Sequence, residues 1–367
     1  MRILYVLPQI YPYVTGGAEI FHYHLLLQMS QNNMVGYIGY DNINNNAVKF
    51  YRLYKLKPWK LTNPIQTIIL IYRWRKEYDI IHLNYCQGSW LHWFYLPILK
   101  KLFKINYGLT IHDPSLYEWK QKNIFKFVFD EAHFIVAVSE RLKEGYEKRC
   151  NKAITYLPPL VPLNKYLHID TSLFDELRIR EDSKIVLFAG SLKESKRPLI
   201  LAKALVSLGH KWLESNNVVV LFAGDGDQKE ELSNYITNTT LEKHCILLGR
   251  IPQESLAKYY AIANLYVIPS IHEGKSMSLI EAMYNSLPII ASNAPGINDI
   301  IFDNQNGLLF DIDDVYGLAH CIKTLIEDCQ LAMNLANNAF RDYESQFRFE
   351  DMYKCYMDLY ENTRSSQ

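Results

Sequence analysis

Short apolar, strand-like runs alternate with helix-forming segments along this chain, in two separate series. Residues 184–189, Lys184-Ile185-Val186-Leu187-Phe188-Ala189, are almost continuously apolar, as expected of a strand covered on both faces of a parallel sheet. Residues 2–7, 80–83, 107–111 and 134–138 read as strands of the first series. Residues 218–223, 246–248, 265–268 and 288–291 continue the second. Such alternation predicts parallel sheets with helices on both faces, and ligands at the carboxyl ends of the strands. Between the series, Pro158-Pro159-Leu160-Val161-Pro162 is stiff and can extend neither helix nor sheet, so it reads as a linker. A chain of 367 residues suits two domains, each with its own core. The expected division is residues 1–165, residues 166–345 and a final helix over 346–367, where Phe347, Met352, Tyr356, Leu359 and Tyr360 recur at helical spacing.

Composition narrows the class further. An apolar content of 49% with 21% charged residues is that of a soluble globular protein. Cys86, Cys150, Cys245, Cys321, Cys329 and Cys355 are scattered without a C-x-x-C pair, which predicts a reducing compartment and neither zinc nor a redox dithiol. The opening run, broken by Pro8, is too short for a signal peptide, and no run reaches the 18 or so apolar residues of a membrane span. The expected location is the cytoplasm. A formal net charge of zero hides an asymmetry: residues 1–170 carry 21 Lys and Arg against 12 Asp and Glu, and residues 171–367 carry 18 against 27. Basic residues gather at Lys49, Arg52, Lys55, Lys57 and Lys60, at Arg73, Arg75 and Lys76, and at Lys100, Lys101 and Lys104, interleaved with Tyr51, Tyr54, Trp59, Trp74, Trp90, Trp93 and Phe94. Two readings stand side by side. One is a surface that lies peripherally on an anionic membrane. The other is a solvated helical face whose aromatics belong to the core. No nucleic-acid partner is expected, because the basic residues belong to no recognisable binding module.

The most informative local pattern lies after the apolar run 264–268. Pro269-Ser270-Ile271-His272-Glu273-Gly274-Lys275-Ser276-Met277-Ser278-Leu279-Ile280-Glu281-Ala282-Met283 reads as a strand-to-helix loop bracketed by two glutamates. The first N–H groups of a helix have no partner inside it and carry about half a positive charge, which makes the helix start a phosphate site. A carboxylate on either side suits a ligand with hydroxyls at both ends of a diphosphate, as in a nucleotide sugar. Ser278-Leu279-Ile280-Glu281 also fits a capping box, in which Glu281 only closes the helix start.

Pro269-Ser270-x-x-Glu273-Gly274 followed by Glu281-Ala282-Met283 resembles the E-x7-E signature of retaining glycosyltransferases of family GT4, which have the GT-B fold. The resemblance covers nearly the whole chain. It implies an α/β protein of two Rossmann-like, doubly wound domains facing a cleft, with the C-terminal helix crossing back to the first domain. Gly16 and Gly17 match the first-domain glycine loop that approaches the donor phosphate. His112 matches the histidine that ends a strand and reaches the donor sugar. Lys196 matches the lysine that neutralises the departing diphosphate, and Ser191 stands where the family carries arginine, with Lys193 or Arg197 as substitutes for its charge. A hydroxyl cannot supply the bidentate, always-charged contact of a guanidinium. Arg250 matches the segment beside the nucleobase, and Gly224 and Gly226 a turn that reads as structural. Glu273 would hold the sugar and Glu281 the ribose, with Gly274, Lys275, Ser276 and Met277 at the diphosphate. Val136-Ala137-Val138-Ser139-Glu140 resembles another first-domain motif, although Ser139 can equally cap the following helix.

The implied activity is transfer of a sugar from a nucleotide diphosphate sugar, UDP- or GDP-linked, to a glycan or lipid-linked acceptor in cell-surface polysaccharide synthesis. No cofactor or metal is expected, since Lys196, Lys275 and the helix start supply the positive charge. The alternative is a non-catalytic subunit of the same fold that binds nucleotide sugars or acts as a scaffold, favoured by Ser191. A nicotinamide-dependent oxidoreductase is disfavoured, because no G-x-G-x-x-G follows the first strand.

Overall fold

The structure, a computed structural model, describes residues 1–7, 10, 17–43, 45–54, 59–85, 91–112, 122–163, 170–273 and 276–364. The chain divides into two compact units. Unit 1 combines Met1–Pro162 with Phe349–Gln367, and unit 2 is Leu163–Arg348. The boundary falls at Pro162, within the proline run.

In unit 1, strand β1 (Arg2–Val6) is followed by helix α1 (Gly17–Ser30), β2 (Met34–Gly39), β3 (Val48–Arg52), α2 (Trp59–Trp74), β4 (Ile80–Tyr85), α3 (Leu91–Phe103), β5 (Tyr107–Ile111), α4 (Lys122–Glu131), β6 (Phe134–Ala137), α5 (Glu140–Glu147) and β7 (Thr155–Tyr156). The strands form one parallel sheet in the order β3-β2-β1-β4-β5-β6-β7. Ile3 stands opposite Val35 on one side and Ile80 on the other, so the chain reverses its direction of growth between β1 and β4. Strands β2, β3 and β7 and helix α2 add to the expected elements. Gly36 and Gly39 mask β2 in the sequence, and Gly36 has a packing reason: a Cβ there would lie 2.2 Å from Tyr78 Oη. Ser139 caps α5, its hydroxyl accepting from Leu142 N at 3.3 Å.

Unit 2 runs α6 (Ser172–Leu177), β8 (Lys184–Ala189), α7 (Pro198–Leu208), α8 (His210–Ser215), β9 (Val218–Ala223), α9 (Lys229–Asn238), β10 (Cys245–Gly249), α10 (Gln253–Ile262), β11 (Leu265–Ile268), α11 (Met277–Tyr284), β12 (Ile289–Ser292), β13 (Leu308–Phe310), α12 (Val315–Glu327) and α13 (Cys329–Gln346). Its six parallel strands stand in the order β10-β9-β8-β11-β12-β13. Every residue of β8 after Lys184 is buried, as its unbroken apolar run requires. Here the reversal falls between β8 and β11.

The last helix, α14 (Phe349–Arg364), belongs to unit 1. Tyr356 and Tyr360 are fully buried. A buried phenol needs a polar partner. Tyr360 Oη lies 2.5 Å from His82 Nδ1, and Tyr356 Oη lies 3.2 Å from Thr110 Oγ1. His82 Nε2 closes the group at 2.8 Å from Thr110 Oγ1. Burial pushes the His82 imidazole down to about 3, so the ring is neutral and shares its hydrogen bonds as one donor and one acceptor. Replacing Tyr360 by Ala removes a buried aromatic and leaves His82 short of a partner, at a cost of about 3–5 kcal/mol. Amide exchange should then accelerate across β4, β5 and α14, while β8 and β9 keep their protection. Unchanged exchange in β4 would contradict this account of α14.

Candidate active site

In an open parallel sheet, the crevice outside the carboxyl ends of the strands at the reversal point is where a ligand fits. In unit 2 that point lies between β8 and β11. After β8 the chain passes Ser191 and makes a single 3-10 turn, Glu194–Lys196. After β11 it runs through Ser270 and Glu273 to the start of α11. The two loops meet: Ile271 N donates to Ser195 O at 2.9 Å, and Lys196 Nζ lies 2.5 Å from both carboxylate oxygens of Glu273. Ser270 Oγ donates to Glu273 Oε1 at 2.7 Å. The end of β12 and the loop after it hold the other side, since Glu273 N donates to Pro295 O at 3.0 Å and Ser292 Oγ donates to Ser270 O at 2.5 Å. The Glu273 side chain is only 7% exposed and that of Lys196 29%. A carboxylate so far out of water requires a counter-charge and hydrogen bonds, and both are present. The sequence reading gave Lys196 to a diphosphate and Glu273 to a sugar; without a ligand they neutralise each other.

Helix α11 begins with Ser276, whose hydroxyl accepts from Leu279 N at 3.4 Å. The cap is therefore Ser276, and the capping box Ser278–Glu281 is not formed. Glu281 lies beyond the first turn, buried on the inner side of the helix. It adjoins the Tyr260 hydroxyl, whose pKa is raised by burial and then by the Glu281 charge. Tyr260 Oη donates to Ser278 O at 3.1 Å, and Tyr266 Oη to Ser278 Oγ at 2.8 Å. Ser276 is buried and Met277 half-buried at the helix start. Gly274 and Lys275 lie outside the described residues, as does Gly16.

Ser191, on the loop after β8 that also carries Lys196, is half-buried. Of the two cations that could replace the missing arginine, Arg197 is ion-paired with Asp313 and Lys193 is exposed. The G-x-G turn has a steric reason: a Cβ on Gly224 would sit 1.8 Å from Gly190 O, so only glycine lets the Ser191 loop pass. Gly224 N donates to Gly249 O at 2.8 Å, which fixes the end of β10; Arg250 follows it and is exposed. Two Asp-x-Asp runs, 225–227 and 311–313, are engaged elsewhere, with Asp225 Oδ2 3.2 Å from Lys229 Nζ and Asp313 on Arg197. Among the described residues no group of three or more His, Cys, Asp or Glu could hold a metal ion.

In unit 1, Gly17 opens α1 and His112 follows β5. His112 is half-buried, with Nε2 2.7 Å from Nε2 of His22, a fully buried residue of α1. His22 Nδ1 in turn lies 2.5 Å from Tyr5 Oη. Burial pulls both imidazoles well below their usual range, so both are neutral at neutral pH. Gly17 and His112 thus belong to unit 1, whereas Ser191, Lys196, Arg250, Glu273, Ser276, Met277 and Glu281 belong to unit 2. The sequence reading missed His22, Ser270, Ser292, Tyr260 and Tyr266. A signal existed for His22, which shares the inward stripe of Phe21, Leu25, Leu26 and Met29; a histidine on a core stripe must have a polar partner.

Family comparison agrees with this architecture. Residues 170–342 match the family described as Glycosyl transferases group 1, and residues 16–165 match Glycosyltransferase Family 4. An uncharacterized glycosyltransferase of Methanocaldococcus jannaschii is 25% identical over 376 residues, which span 98% of this chain and 97% of that protein. The N-acetyl-alpha-D-glucosaminyl L-malate synthase of Bacillus anthracis is 25% identical over 300 residues, 78% of this chain and 75% of that one. The crystal structure of Anabaena HepE in complex with UDP shares the fold, with a TM-score of 0.79 at 18% identity and 100% coverage of both chains. Matched along both of its Rossmann-like units, the chain belongs to the group 1, family 4 glycosyltransferases of GT-B fold.

Proposed function

We propose that this protein transfers a sugar from a nucleoside diphosphate sugar to a hydroxyl of a glycan or lipid-linked acceptor, with retention of anomeric configuration and without a metal. The observation that carries this reading is the Lys196–Glu273 pair at the strand-order reversal of unit 2, next to the start of α11. A donor diphosphate brings two negative groups to a fixed cation and to a helix start whose partial charge is positive. Its sugar brings hydroxyls to Glu273, and its ribose brings hydroxyls to Glu281. UDP is the favoured carrier, because the Anabaena protein of the same fold was crystallised with it.

In the reaction, the bond from the anomeric carbon to the phosphate oxygen breaks as the bond to the acceptor oxygen forms on the same face. The departing phosphate takes the acceptor's proton. Charge grows on the leaving oxygen, and a preorganised cation aimed at it is the largest lever available to the protein. With Ser191 uncharged and Arg197 held by Asp313, that task falls chiefly on Lys196. Lys196→Ala should therefore lower kcat by about 10²–10³-fold. The product anomer should match the donor anomer by NMR. An inverted product, or a Lys196→Ala variant with normal kcat, would overturn the mechanism. Donor binding with no turnover on any acceptor would instead favour a non-catalytic nucleotide-sugar-binding subunit, the reading supported by Ser191.

We also propose that unit 1 rests on an anionic membrane, on the cytoplasmic face where lipid-linked intermediates of cell-surface polysaccharides are built. Helices α2, α3 and α4 pack side by side. Ile65, Ile69 and Tyr72 of α2, Ile98, Leu102 and Phe103 of α3 and Phe127 of α4 are all exposed. Tyr72 and Phe103 meet with centroids 4.9 Å apart, Arg75 lies 3.9 Å over the Tyr72 ring, and Lys101 Nζ lies 4.7 Å over Phe127. Apolar side chains interleaved with cations match an anionic headgroup layer. Of the aromatics noted in the sequence, Tyr54 is exposed and Tyr51 is core, its ring tilted against Trp74 with centroids 5.0 Å apart, while the side chains of Trp59, Trp90, Trp93 and Phe94 lie outside the described residues. Among the described residues no helix is long and apolar enough to cross a membrane. The chain should sediment with anionic vesicles in low salt, and a double substitution of Ile69 and Leu102 by Glu should abolish this without lowering the melting temperature. No binding to anionic vesicles would end the proposal.

A further inference from the structure

The family resemblance gives His112 to the donor sugar of the proposed transfer, yet the more constrained histidine is the one bonded to it. His22 has no exposed surface, sits on α1, and touches His112 through Nε2 and Tyr5 through Nδ1. Both rings are kept neutral by burial, so each carries a single N–H. A 2.7 Å contact between two Nε2 atoms then requires one ring to donate and the other to accept. Which does so is set further along the chain of bonds. With the Asn84 carboxamide turned so that Oδ1 faces Tyr5 Oη at 3.3 Å, the phenol donates to it, because an amide oxygen can only accept. The Tyr5 oxygen therefore accepts from His22 Nδ1–H at 2.5 Å. His22 Nε2 is left bare and accepts from His112 Nε2–H. His112 Nδ1, which has no partner among the described residues, is left as a bare acceptor.

We infer that His22 is a positioning residue: with Tyr5 and Asn84 it locks His112 in the Nε2–H tautomer, turning Nδ1 into a fixed acceptor for a substrate hydroxyl. A sugar hydroxyl is a donor that such a nitrogen can hold, and its hydrogen bond orients the ring without a change of charge. The role of His112 toward sugar rests on the transfer reading above; the hydrogen-bond chain does not. His22 fits no alternative as a surface group or a metal ligand, since its two ring nitrogens are both occupied.

The test begins with nitrogen-15 NMR of the histidine rings in the full chain without ligand. His112 should show a single Nε2–H tautomer that persists across neutral pH. His22→Phe, which keeps a ring in the cavity but removes the acceptor, should give a mixture of tautomers. It should lower kcat on the order of 10-fold, the scale of lost orienting partners elsewhere, with the donor KM nearly unchanged. His22→Gln, whose carboxamide oxygen can accept the same proton, should recover most of that loss. In a His112→Ala background, His22→Phe should cost nothing further, because a residue acting through His112 has nothing left to act on. A wild-type proton on Nδ1, or a His112 tautomer unmoved in both variants, overturns the inference whether or not the chain transfers sugar. Additive losses in the double variant overturn it as well. Should His22→Phe fail to fold, the wild-type spectrum and His22→Gln decide.

Discussion

A carboxylate with 7% of its side chain exposed needs a counter-charge and hydrogen bonds in place of water, and Glu273 meets that demand with Lys196. The pair is more than a local contact. It holds the loop after β8 against the loop after β11, at the point where the sheet of unit 2 reverses its order. The end of β12 and the loop after it contribute Ser292 Oγ and Pro295 O to the same lock. Three separate crossovers thus converge on one residue, Glu273, whose carboxylate is paired with Lys196 and hydrogen-bonded by Ser270. On the proposed function, a nucleoside diphosphate sugar would offer both partners at once, phosphate oxygens for the ammonium and sugar hydroxyls for the carboxylate, so that binding would exchange one set of polar contacts for another instead of exposing a bare charge.

Unit 1 follows another rule. Its polar interior is built from neutral groups in two hydrogen-bonded sets, Tyr5 with His22, and His82 with Thr110, Tyr356 and Tyr360, all buried. Neutral networks escape the desolvation cost of charge, but they demand that every proton have a place. That demand ties α14, which closes the chain, to strands β4 and β5 near its start. It also ties α1 to the residue after β5. The fold therefore fixes the orientation of His112 through hydrogen bonds alone, whereas unit 2 fixes Glu273 through charge.

Much of this was legible in the sequence, for identifiable reasons. Strands β8, β9 and β11 are continuous apolar runs, and a strand buried on both faces can be little else. The sequence Phe347–Tyr360 carries helical spacing, and its tyrosines face the interior of unit 1 as observed. Strand β2 was hidden by Gly36 and Gly39, which serve the packing of Tyr78 and Tyr37 and lower strand propensity. Strand β3, Val48–Arg52, is exposed at two of its five positions and reads as a basic segment. Glu273, Glu281 and Lys196 were found because their pattern is local: a strand, a loop and a helix within a short span. The contact between Lys196 and Glu273 was not, since 77 residues separate them and only the sheet order brings their loops together. The Asn84–Tyr5–His22–His112 chain escaped for the same reason, and so did Arg197–Asp313, which removes one of the two replacements for the missing arginine. The face of α2, α3 and α4 was read from its charges. Its exposed aliphatic residues, Ile65, Ile69, Ile98 and Leu102, became visible only when the helices were packed and their cores filled by others.

On the proposed function, unit 2 holds a nucleoside diphosphate at its strand-order reversal, with the ribose on Glu281. Thermal unfolding of the full chain with UDP, GDP and ADP, alongside Glu281→Ala, tests it most directly. One nucleotide at 100 times its Kd should stabilise the wild type by about 2.7 kcal/mol, and the gain should largely vanish in the variant. Stabilisation by none of the three, or an equal gain in Glu281→Ala, would contradict the account.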